Sequence, residues 1–276
     1  MLKNRAKLRG VMENSDTNLT FSVGKYLAGL ELDAWGYASA NNPLFMNAPE
    51  GYRPSDILYG AQSVIIIGKS LPQGLFKVKS HQTQVVHRLY HSLYKYLDIT
   101  AVRIASYLES SGESAITVPS YSPLTMRNLQ PWGILSLKHA GVAAGLGQIA
   151  TNGLLIHPQF GTLLRLAGII TTASLPPNKP LEGNPCTGCD LCLKNCPVQA
   201  IGSDGSFKKI QCLRQVVQHG VNKLHSITSP EYRENVELIT NTLFLEYTIG
   251  CIKCLEVCPI NRKPRVMRKA SKIDKA

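Results

Sequence analysis

The sequence has no hydrophobic run long enough to cross a membrane. Its longest apolar stretch, Gly153 to Leu175, is interrupted by His157, Pro158 and Arg165, whereas a membrane-spanning helix needs about 20 consecutive apolar residues. The basic N-terminal segment also lacks the apolar core of an export signal. We therefore expect a soluble, cytoplasmic protein with no membrane partner.

Two common phosphate-binding motifs are also missing. No G-x-G-x-x-G follows a predicted strand and no P-loop is present, so the usual support for a nucleotide site is lacking. Gly141, Gly145 and Gly147 are spaced differently. They predict either helix termination with tight packing or the close approach of a flat ligand to the backbone.

Cysteine is absent before Cys186, and all 8 cysteines lie between Cys186 and Cys258. The first four form a C-x2-C-x2-C-x3-C-P run. In bacterial ferredoxins the first three thiolates of such a run hold one [4Fe–4S] cluster and the fourth reaches the other. The spacing therefore predicts two clusters.

The second run, C-x2-C-x3-C-P, lacks its leading cysteine because Thr248 stands in that position. Cys212 is the only cysteine left to replace it. Each predicted cluster takes its ligands from both cysteine runs. They are Cys186, Cys189, Cys192 and Cys258 for the first cluster, and Cys196, Cys212, Cys251 and Cys254 for the second.

Disulfides and zinc are the alternative uses of these thiols. Disulfides are typical of small secreted chains, and no export signal is evident. Zinc sites usually consist of two C-x2-C pairs, not a run of four ending in Cys-Pro. The pattern favours iron–sulfur clusters over both.

Hydrophobic periodicity predicts strands interleaved with helices, which is typical of an α/β or α+β layered domain. The predicted helices are Phe21–Leu30, His81–Glu109 with Gly112 as its C-terminal cap, and a segment capped by Ser136. The predicted strands are a buried central strand at Val64–Ile67, followed by Ala115–Val118, Leu154–Ile156 and Leu163–Thr172.

Composition divides the chain into three parts. Residues 1–175 form the first predicted domain, and Pro176, Pro177 and Pro180 link it to a cluster domain at 176–260. Residues 261–276 carry +6 of the formal net charge of +12 and predict a solvated basic tail. No recognisable nucleic-acid module accompanies this charge, and a basic surface could equally dock an acidic ferredoxin or flavodoxin as electron donor.

His87 and His91 lie four residues apart on one predicted helix face. This spacing suits a metal, but no nearby carboxylate or thiol joins them, so a solvated face is the favoured interpretation.

The segment Gly145-Leu-Gly147-Gln-Ile149, the strand at Leu154–Ile156, Gly161 and the eight-cysteine pattern resemble the epoxyqueuosine reductase family. This family comprises corrinoid-dependent iron–sulfur reductases related to the reductive dehalogenases. The resemblance implies a nitroreductase-like domain that holds a base-off cobalamin, followed by a ferredoxin-like domain with two [4Fe–4S] clusters. The implied cofactor-binding residues are Ser120, Lys138, His139, Gly145, Gly147, Gln148, Asn152 and His157.

The sequence departs from this family in two places. The family carries a catalytic aspartate just after the strand that here ends at Val118, whereas this chain has Pro119, Ser120 and Tyr121. No counterpart of the family's long C-terminal tRNA-binding region follows Pro259. Tyr121 is the candidate proton donor, as in reductive dehalogenases, or else a structural aromatic residue.

Two functions from different classes remain. The first is a cobalamin-dependent oxidoreductase, in which an external donor reduces the clusters, the clusters reduce cobalt, and a small molecule or another corrinoid is reduced. The second is an electron carrier or corrinoid-handling protein without an organic substrate. Epoxyqueuosine reduction on tRNA is the less favoured alternative because of the two departures.

Overall fold

The computed structural model describes residues 18–121, 123–128, 130–218 and 248–265. Residues 18–28 are helical and are called α1. The other α-helices are α2 Pro43–Met46, α3 Pro54–Ile57, α4 Gln82–Ser110, α5 Leu137–Ala143, α6 Leu191–Lys194, α7 Lys209–Val216 and α8 Lys253–Glu256, with 3-10 turns at Gln73–Lys77 and Pro259–Arg262. The strands are β1 Ala34–Ser39, β2 Ser63–Ser70, β3 Ala115–Val118, β4 Thr125–Arg127, β5 Gln130–Trp132, β6 Gln148–Ile149, β7 Leu155–Ile156, β8 Leu164–Thr171, β9 Val217–Gln218 and β10 Thr248–Ile249.

A four-stranded sheet of order β1-β2-β8-β3 forms the centre of the fold. Every neighbouring pair is antiparallel, with Ile66 of β2 opposite Gly168 of β8. This confirms the mixed α/β class, and β2 is the central strand predicted from its hydrophobic run. Such runs are typical of strands that are covered on both faces.

Alternate residues of β2 enter two different hydrophobic cores, because successive side chains of a strand point to opposite faces. Ile65 and Ile67 pack with α4, through residues such as Leu97 and Ile104. Val64 and Ile66 pack on the other face with residues of α5. The sheet is therefore enclosed between the long helix α4 and the short helix α5.

The predicted long helix is confirmed as α4, and Gly112 adopts φ +89 just beyond it. Strand β1 and the hairpin β4–β5 were not predicted, because their residues show no clear period-2 pattern. The predicted solvated face at His87 is wrong: His87 is only 6% exposed and its ring lies 4.3 Å from that of His91. Burial, with the neighbouring His91 and Arg88, lowers the pKa of His87.

The proline segment follows the edge of the sheet before it reaches the cysteines. Asn178 and Tyr37 of β1 exchange two hydrogen bonds: the Asn178 side-chain oxygen accepts from the Tyr37 amide at 2.7 Å, and the Asn178 amide donates to the Tyr37 carbonyl at 2.9 Å. The segment also passes directly over Gly145, where an added Cβ would lie 2.3 Å from the Lys179 carbonyl oxygen. Gly145 is therefore tightly packed, and its predicted contact with a cofactor stays a prediction.

The predicted solvated tail starts with one buried residue, although Arg262, Lys263 and Pro264 after it are exposed. Asn261 is 1% exposed, and Arg265 donates a hydrogen bond to the Leu71 carbonyl at 2.8 Å. These residues hold the end of the cysteine region against the first domain. The rest of the predicted tail, 266–276, lies outside the described residues. Within the described ranges, no helix is long and apolar enough to cross a membrane.

Candidate functional site

Four cysteines from two distant parts of the chain line one cavity that is partly open to solvent. The cavity also contacts Ala150, Thr151 and Asn152 of the loop after β6. The cysteines are Cys186, Cys189, Cys192 and Cys258. This is the set of four thiols that the spacing assigned to the first cluster.

Two thiols of this cavity contact residues of its walls. Cys186 and Cys258 pack on Ile156 and Ile260, and the Thr151 hydroxyl lies 3.5 Å from the Cys186 sulfur. Burial acts to raise the pKa of Cys186, but hydrogen bonds with Thr151 and Gly188 outweigh it and lower the pKa. A thiol that ionises readily is suited to binding iron, because the thiolate is the metal ligand.

The other four thiols are called the second cysteine group, and part of this group lies where β9 pairs with β10. Its members are Cys196, Cys212, Cys251 and Cys254. Helix α7 carries Cys212 and runs directly into β9, and Cys251 follows the end of β10 by two residues. In this ladder Thr248, the residue at the position of the missing cysteine, lies opposite Gln218. The pairing therefore brings Cys212 to the incomplete run.

The thiols of the second group act on one another electrostatically. Burial raises the pKa of Cys212, and Cys251 and Cys196 raise it further. Burial raises the pKa of Cys254 to about 12, with Cys212 and Cys251 adding to the shift. The backbone amide of Ala200 donates to the Cys196 sulfur at 3.2 Å. Such N–H···S bonds are among the features that set cluster potentials.

Among the described residues, no group of three or more His, Cys, Asp or Glu side chains is arranged to hold a single metal ion. The four thiolates of a [4Fe–4S] cluster bind four different irons, so they do not converge on one point. The four thiols that line the first cavity are the donor set that such a cluster takes.

Lys138 lies at the start of α5. Its Nζ donates to the Gly153 carbonyl and lies 5.8 Å from the centre of the Phe207 ring. Burial lowers the pKa of Lys138, as does Lys209, whereas Cys212 opposes the shift. The lysine predicted to bind the cofactor thus interacts electrostatically with a predicted cluster ligand.

Arg165 of β8 lies on the α4 side of the sheet. Its guanidinium carbon is 5.6 Å from the centre of the Tyr90 ring, and its side chain hydrogen-bonds Tyr94 and the Thr162 carbonyl. Burial acts to lower the pKa of Arg165, but Tyr90, Tyr94 and Cys254 raise it overall. Arg165 is therefore a partly buried cation near the second cysteine group.

Ser120 and Tyr121 follow β3 and lie against the middle of α4. The Ser120 amide donates to Asp98 at 2.9 Å, and the Tyr121 ring stacks on Tyr94 at 5.1 Å. Tyr121 and Cys254 both pack on the hydrophobic cluster that contains Tyr90. The candidate proton donor is thus near the second cysteine group, and Asp98 supplies a carboxylate next to Ser120.

Several other predicted cofactor residues have local structural roles. Gln148 donates to the Leu181 carbonyl at 2.8 Å, and Asn152 lines the first cysteine cavity. A Cβ on Gly147 would lie 2.3 Å from the Ile156 carbonyl oxygen.

Both predicted cofactor histidines hydrogen-bond nearby residues. His139 Nδ1 lies 2.7 Å from the Ser136 hydroxyl. His157 Nδ1 accepts from the Gln159 amide at 3.0 Å. A cofactor contact at any of these residues remains a prediction.

Sequence reasoning gave no role to Tyr94, Asp98 or Asn261. The sequence signal that points to the surroundings of Tyr94 is its partner Arg165, a single charge inside the otherwise apolar strand β8. Asn261 carried a weaker signal, as a polar residue placed three positions after Cys258 and its proline.

Comparison with known proteins identifies the cysteine region first. Residues 185–261 match the family model of the 4Fe-4S double cluster binding domain. The C-terminal part of the chain is therefore a double-cluster domain.

Curated relatives of the chain are epoxyqueuosine reductases. The Bacillus cereus protein is 28% identical over 148 residues, which is 54% of this chain and 35% of the relative. The Staphylococcus aureus protein is 28% identical over 174 residues, which is 63% of this chain and 39% of the relative. The chain thus matches little more than a third of the length of these relatives.

Solved structures share the fold. A Bacillus subtilis epoxyqueuosine reductase superposes with a TM-score of 0.59 at 21% identity, covering 91% of this chain and 68% of that one. The structure of an epoxyqueuosine reductase with an epoxyqueuosine-modified tRNA stem loop superposes with a TM-score of 0.57 at 22% identity. The match covers 89% of this chain and 66% of that one. The catabolic reductive dehalogenase NpRdhA in complex with 3-bromo-4-hydroxybenzoic acid superposes with a TM-score of 0.55 at 17% identity. The match covers 88% of this chain and 31% of that one.

The fold and the double-cluster domain define an iron–sulfur protein with the architecture of these reductases. By sequence, the chain is a relative of the epoxyqueuosine reductases, which confirms the resemblance seen in its glycine and cysteine motifs.

Proposed function

We propose that the chain is an iron–sulfur oxidoreductase that passes electrons through two [4Fe–4S] clusters to a bound corrinoid. The observation that carries the proposal is that Cys258 of the second run lines one cavity with Cys186, Cys189 and Cys192 of the first. This crossing is the ligand exchange of two-cluster ferredoxins. An external one-electron donor, such as a ferredoxin or flavodoxin, supplies the electrons.

The residues of the chain support a cofactor beside the second cluster. Ser120 and Tyr121 lie next to Tyr94 and Asp98, with the Ser120 hydroxyl donating to the Tyr94 carbonyl at 3.4 Å and the Tyr121 ring stacked on Tyr94. These groups fit a corrinoid, which is a flat macrocycle edged by amides that hydrogen-bond hydroxyls and carboxylates. A bound corrinoid would supply low-valent cobalt for two-electron reduction, which none of the side chains can supply.

The substrate that the relatives favour is epoxyqueuosine carried on tRNA. The curated relatives bear this activity in their names, and a structure of similar fold holds an epoxyqueuosine-modified tRNA stem loop. This reverses the ranking drawn from the sequence, where a small substrate came first. A small electrophile stays the second candidate, because the segment after Val118, where the family has its catalytic aspartate, carries no carboxylate here.

The test is turnover by anaerobically purified protein reconstituted with iron, sulfide and cobalamin. We expect absorbance titration to show cobalamin binding, and reduced protein to convert an epoxyqueuosine-bearing stem loop to queuosine. Ser120→Asp, which places a carboxylate in the segment after Val118, is the companion variant. If only the variant turns over the stem loop, the native substrate is a different one.

Two results would overturn the proposal. Binding of a flavin with no affinity for cobalamin would make the chain a flavin-dependent reductase. Rapid reduction of bound cobalamin without turnover of any stem loop or small electrophile would make it an electron carrier or corrinoid-handling protein.

A further inference from the structure

Thr151 lies at the tip of the hairpin formed by β6 and β7. The Ala150 amide donates to the Leu154 carbonyl at 2.9 Å, and the Gly153 amide donates to the Ala150 carbonyl at 2.8 Å. Gly153 has φ +70, a left-handed conformation that glycine adopts without strain. These bonds close the four-residue turn 150–153, with Thr151 as its second residue.

Two contacts hold Cys186 against this hairpin. The side chain of Asn184 donates to the Ile149 carbonyl at 3.3 Å and accepts from the Cys186 amide at 2.9 Å. The Thr151 hydroxyl lies 3.5 Å from the Cys186 sulfur, and both residues line the first cysteine cavity. The hairpin of the first domain therefore contacts a predicted ligand of the first cluster directly.

The hydroxyl of Thr151 is the donor in this contact whenever Cys186 binds iron. An iron-bound cysteine is a thiolate, which has no proton to donate. The threonine hydroxyl has one proton, and it can rotate to direct that proton at an acceptor. Since sulfur is a larger atom than oxygen, an O–H···S contact at this distance is a hydrogen bond.

A hydrogen bond to a ligand sulfur acts differently on the two redox states of a cluster. Reduction adds one electron, and part of the added negative charge lies on the sulfurs. A hydrogen bond strengthens as its acceptor becomes more negative, so it stabilises the reduced form more than the oxidised form. Hydrogen bonds to the sulfurs are among the features that set cluster potentials.

We propose that Thr151 is a positioning residue of the first cluster, whose hydroxyl donates to the Cys186 thiolate and raises the reduction potential of that cluster. This rests on the two-cluster function proposed above. In the step that it favours, the cluster takes up one electron from a one-electron donor, and no covalent bond forms or breaks. The first domain thereby sets the potential of a cluster held by the second.

The experiment is a redox titration with dithionite, followed by electron paramagnetic resonance, on the full chain with both clusters. Thr151→Val keeps the shape of the side chain and removes the hydroxyl. Reduction of the first cluster should become about fivefold less favourable, a shift of ~40 mV to lower potential for one electron. The potential of the second cluster should not change. Cys258→Ser, which removes a ligand of the first cluster, identifies the signal of that cluster.

Two further variants separate the hydroxyl from other effects. Thr151→Ser keeps a hydroxyl, so it should retain most of the wild-type potential. Thr187→Val is the matched control, because Thr187 lines the same cavity but is exposed, and water can replace its hydroxyl. It should shift neither cluster.

If Thr151→Val does not assemble the first cluster, Thr151→Ala takes its place in the comparison. If alanine fails as well, Thr151→Ser must keep both the cluster and the wild-type potential, and its failure would overturn the proposal.

An unchanged potential of the first cluster in Thr151→Val, with two clusters present, would refute the role of the hydroxyl and leave the two-cluster function intact. An equal shift in Thr187→Val would refute it too, because the effect would then come from the cavity as a whole. Iron and sulfide analysis of the wild type tests the two-cluster function separately.

Discussion

Asn261 fixes the end of the cysteine region to the first domain through Thr162. The side-chain oxygen of Asn261 accepts a hydrogen bond from the Thr162 amide at 2.8 Å, and its Nδ2 donates to the Thr162 hydroxyl at 2.9 Å. Nδ2 also donates to the Leu255 carbonyl at 2.9 Å. The neighbouring Gly161 is required here, because a Cβ would lie 2.1 Å from the Asn261 oxygen. One amide therefore connects Cys258, three residues earlier, to the start of β8.

Asn261→Ala should destabilise the chain by about 2–4 kcal/mol, because it leaves the buried Thr162 amide and Leu255 carbonyl without this partner. The midpoint of thermal unfolding should fall, and the first cluster should be lost faster because Cys258 is no longer held in place. Visible absorbance during anaerobic heating measures both.

The matched control is Asn195→Ala, at an exposed asparagine whose side chain donates to the Leu191 carbonyl. It should change stability by no more than about 0.5 kcal/mol. Equal effects of the two substitutions would mean that Asn261 does not connect the domains.

Gly145→Ala should lower the free energy of unfolding by about 2–5 kcal/mol, because left-handed backbone strain and overpacking add together. Gly145 has φ +72, and its Cβ would press on the Lys179 carbonyl. Gly112→Ala is the control, since Gly112 has φ +89 with no atom within 4 Å of an added Cβ. It should cost only the strain, about 1–2 kcal/mol. Equal losses by denaturant unfolding would show that the proline segment does not rest on Gly145.

Much of this architecture could be predicted from local pattern. The run at Val64–Ile67, the period of α4 and the spacing of the cysteines all depend on neighbouring residues, so they can be read along the chain. Contacts between distant residues could not be predicted in this way. Asn261 looked like part of a charged tail because its neighbours are basic, and His87 looked solvated because its helix face mixes polar and apolar residues.

Strand β1 is another element that the sequence pattern alone did not predict. Its sequence Ala-Trp-Gly-Tyr-Ala-Ser lacks a regular alternation, and it becomes a strand because β2 and the proline segment pair with it. The predicted ligation of Cys212 came from counting thiols, and the pairing of β9 with β10 beside it became visible only in the structure.

Cys212→Ser should damage the same cluster as Cys251→Ser and spare the cluster that includes Cys186. The physical reason is that Cys212 and Cys251 lie in one electrostatically coupled group. Electron paramagnetic resonance of reduced samples should show one altered and one unchanged signal. Two unchanged clusters in Cys212→Ser would make Cys212 a structural thiol.

Tyr121→Phe should slow substrate turnover roughly a hundredfold if the phenol is the proton donor, which is the usual scale for losing a general acid. Cluster reduction should be unchanged, because the ring stack with Tyr94 is kept. Tyr94→Phe is the companion variant, since it removes the hydroxyl that bonds Arg165. Full turnover by Tyr121→Phe would leave Tyr121 as a packing residue.

The most direct test of the two-cluster account is the iron and acid-labile sulfide content of anaerobically prepared Cys258→Ser beside the wild type. The wild type should contain about eight irons and eight sulfides per chain. Cys258→Ser should lose the cluster held by Cys186, Cys189 and Cys192, although Cys258 belongs to the other cysteine run. A wild type with four irons, or with zinc in proportion to its thiols, would contradict the account.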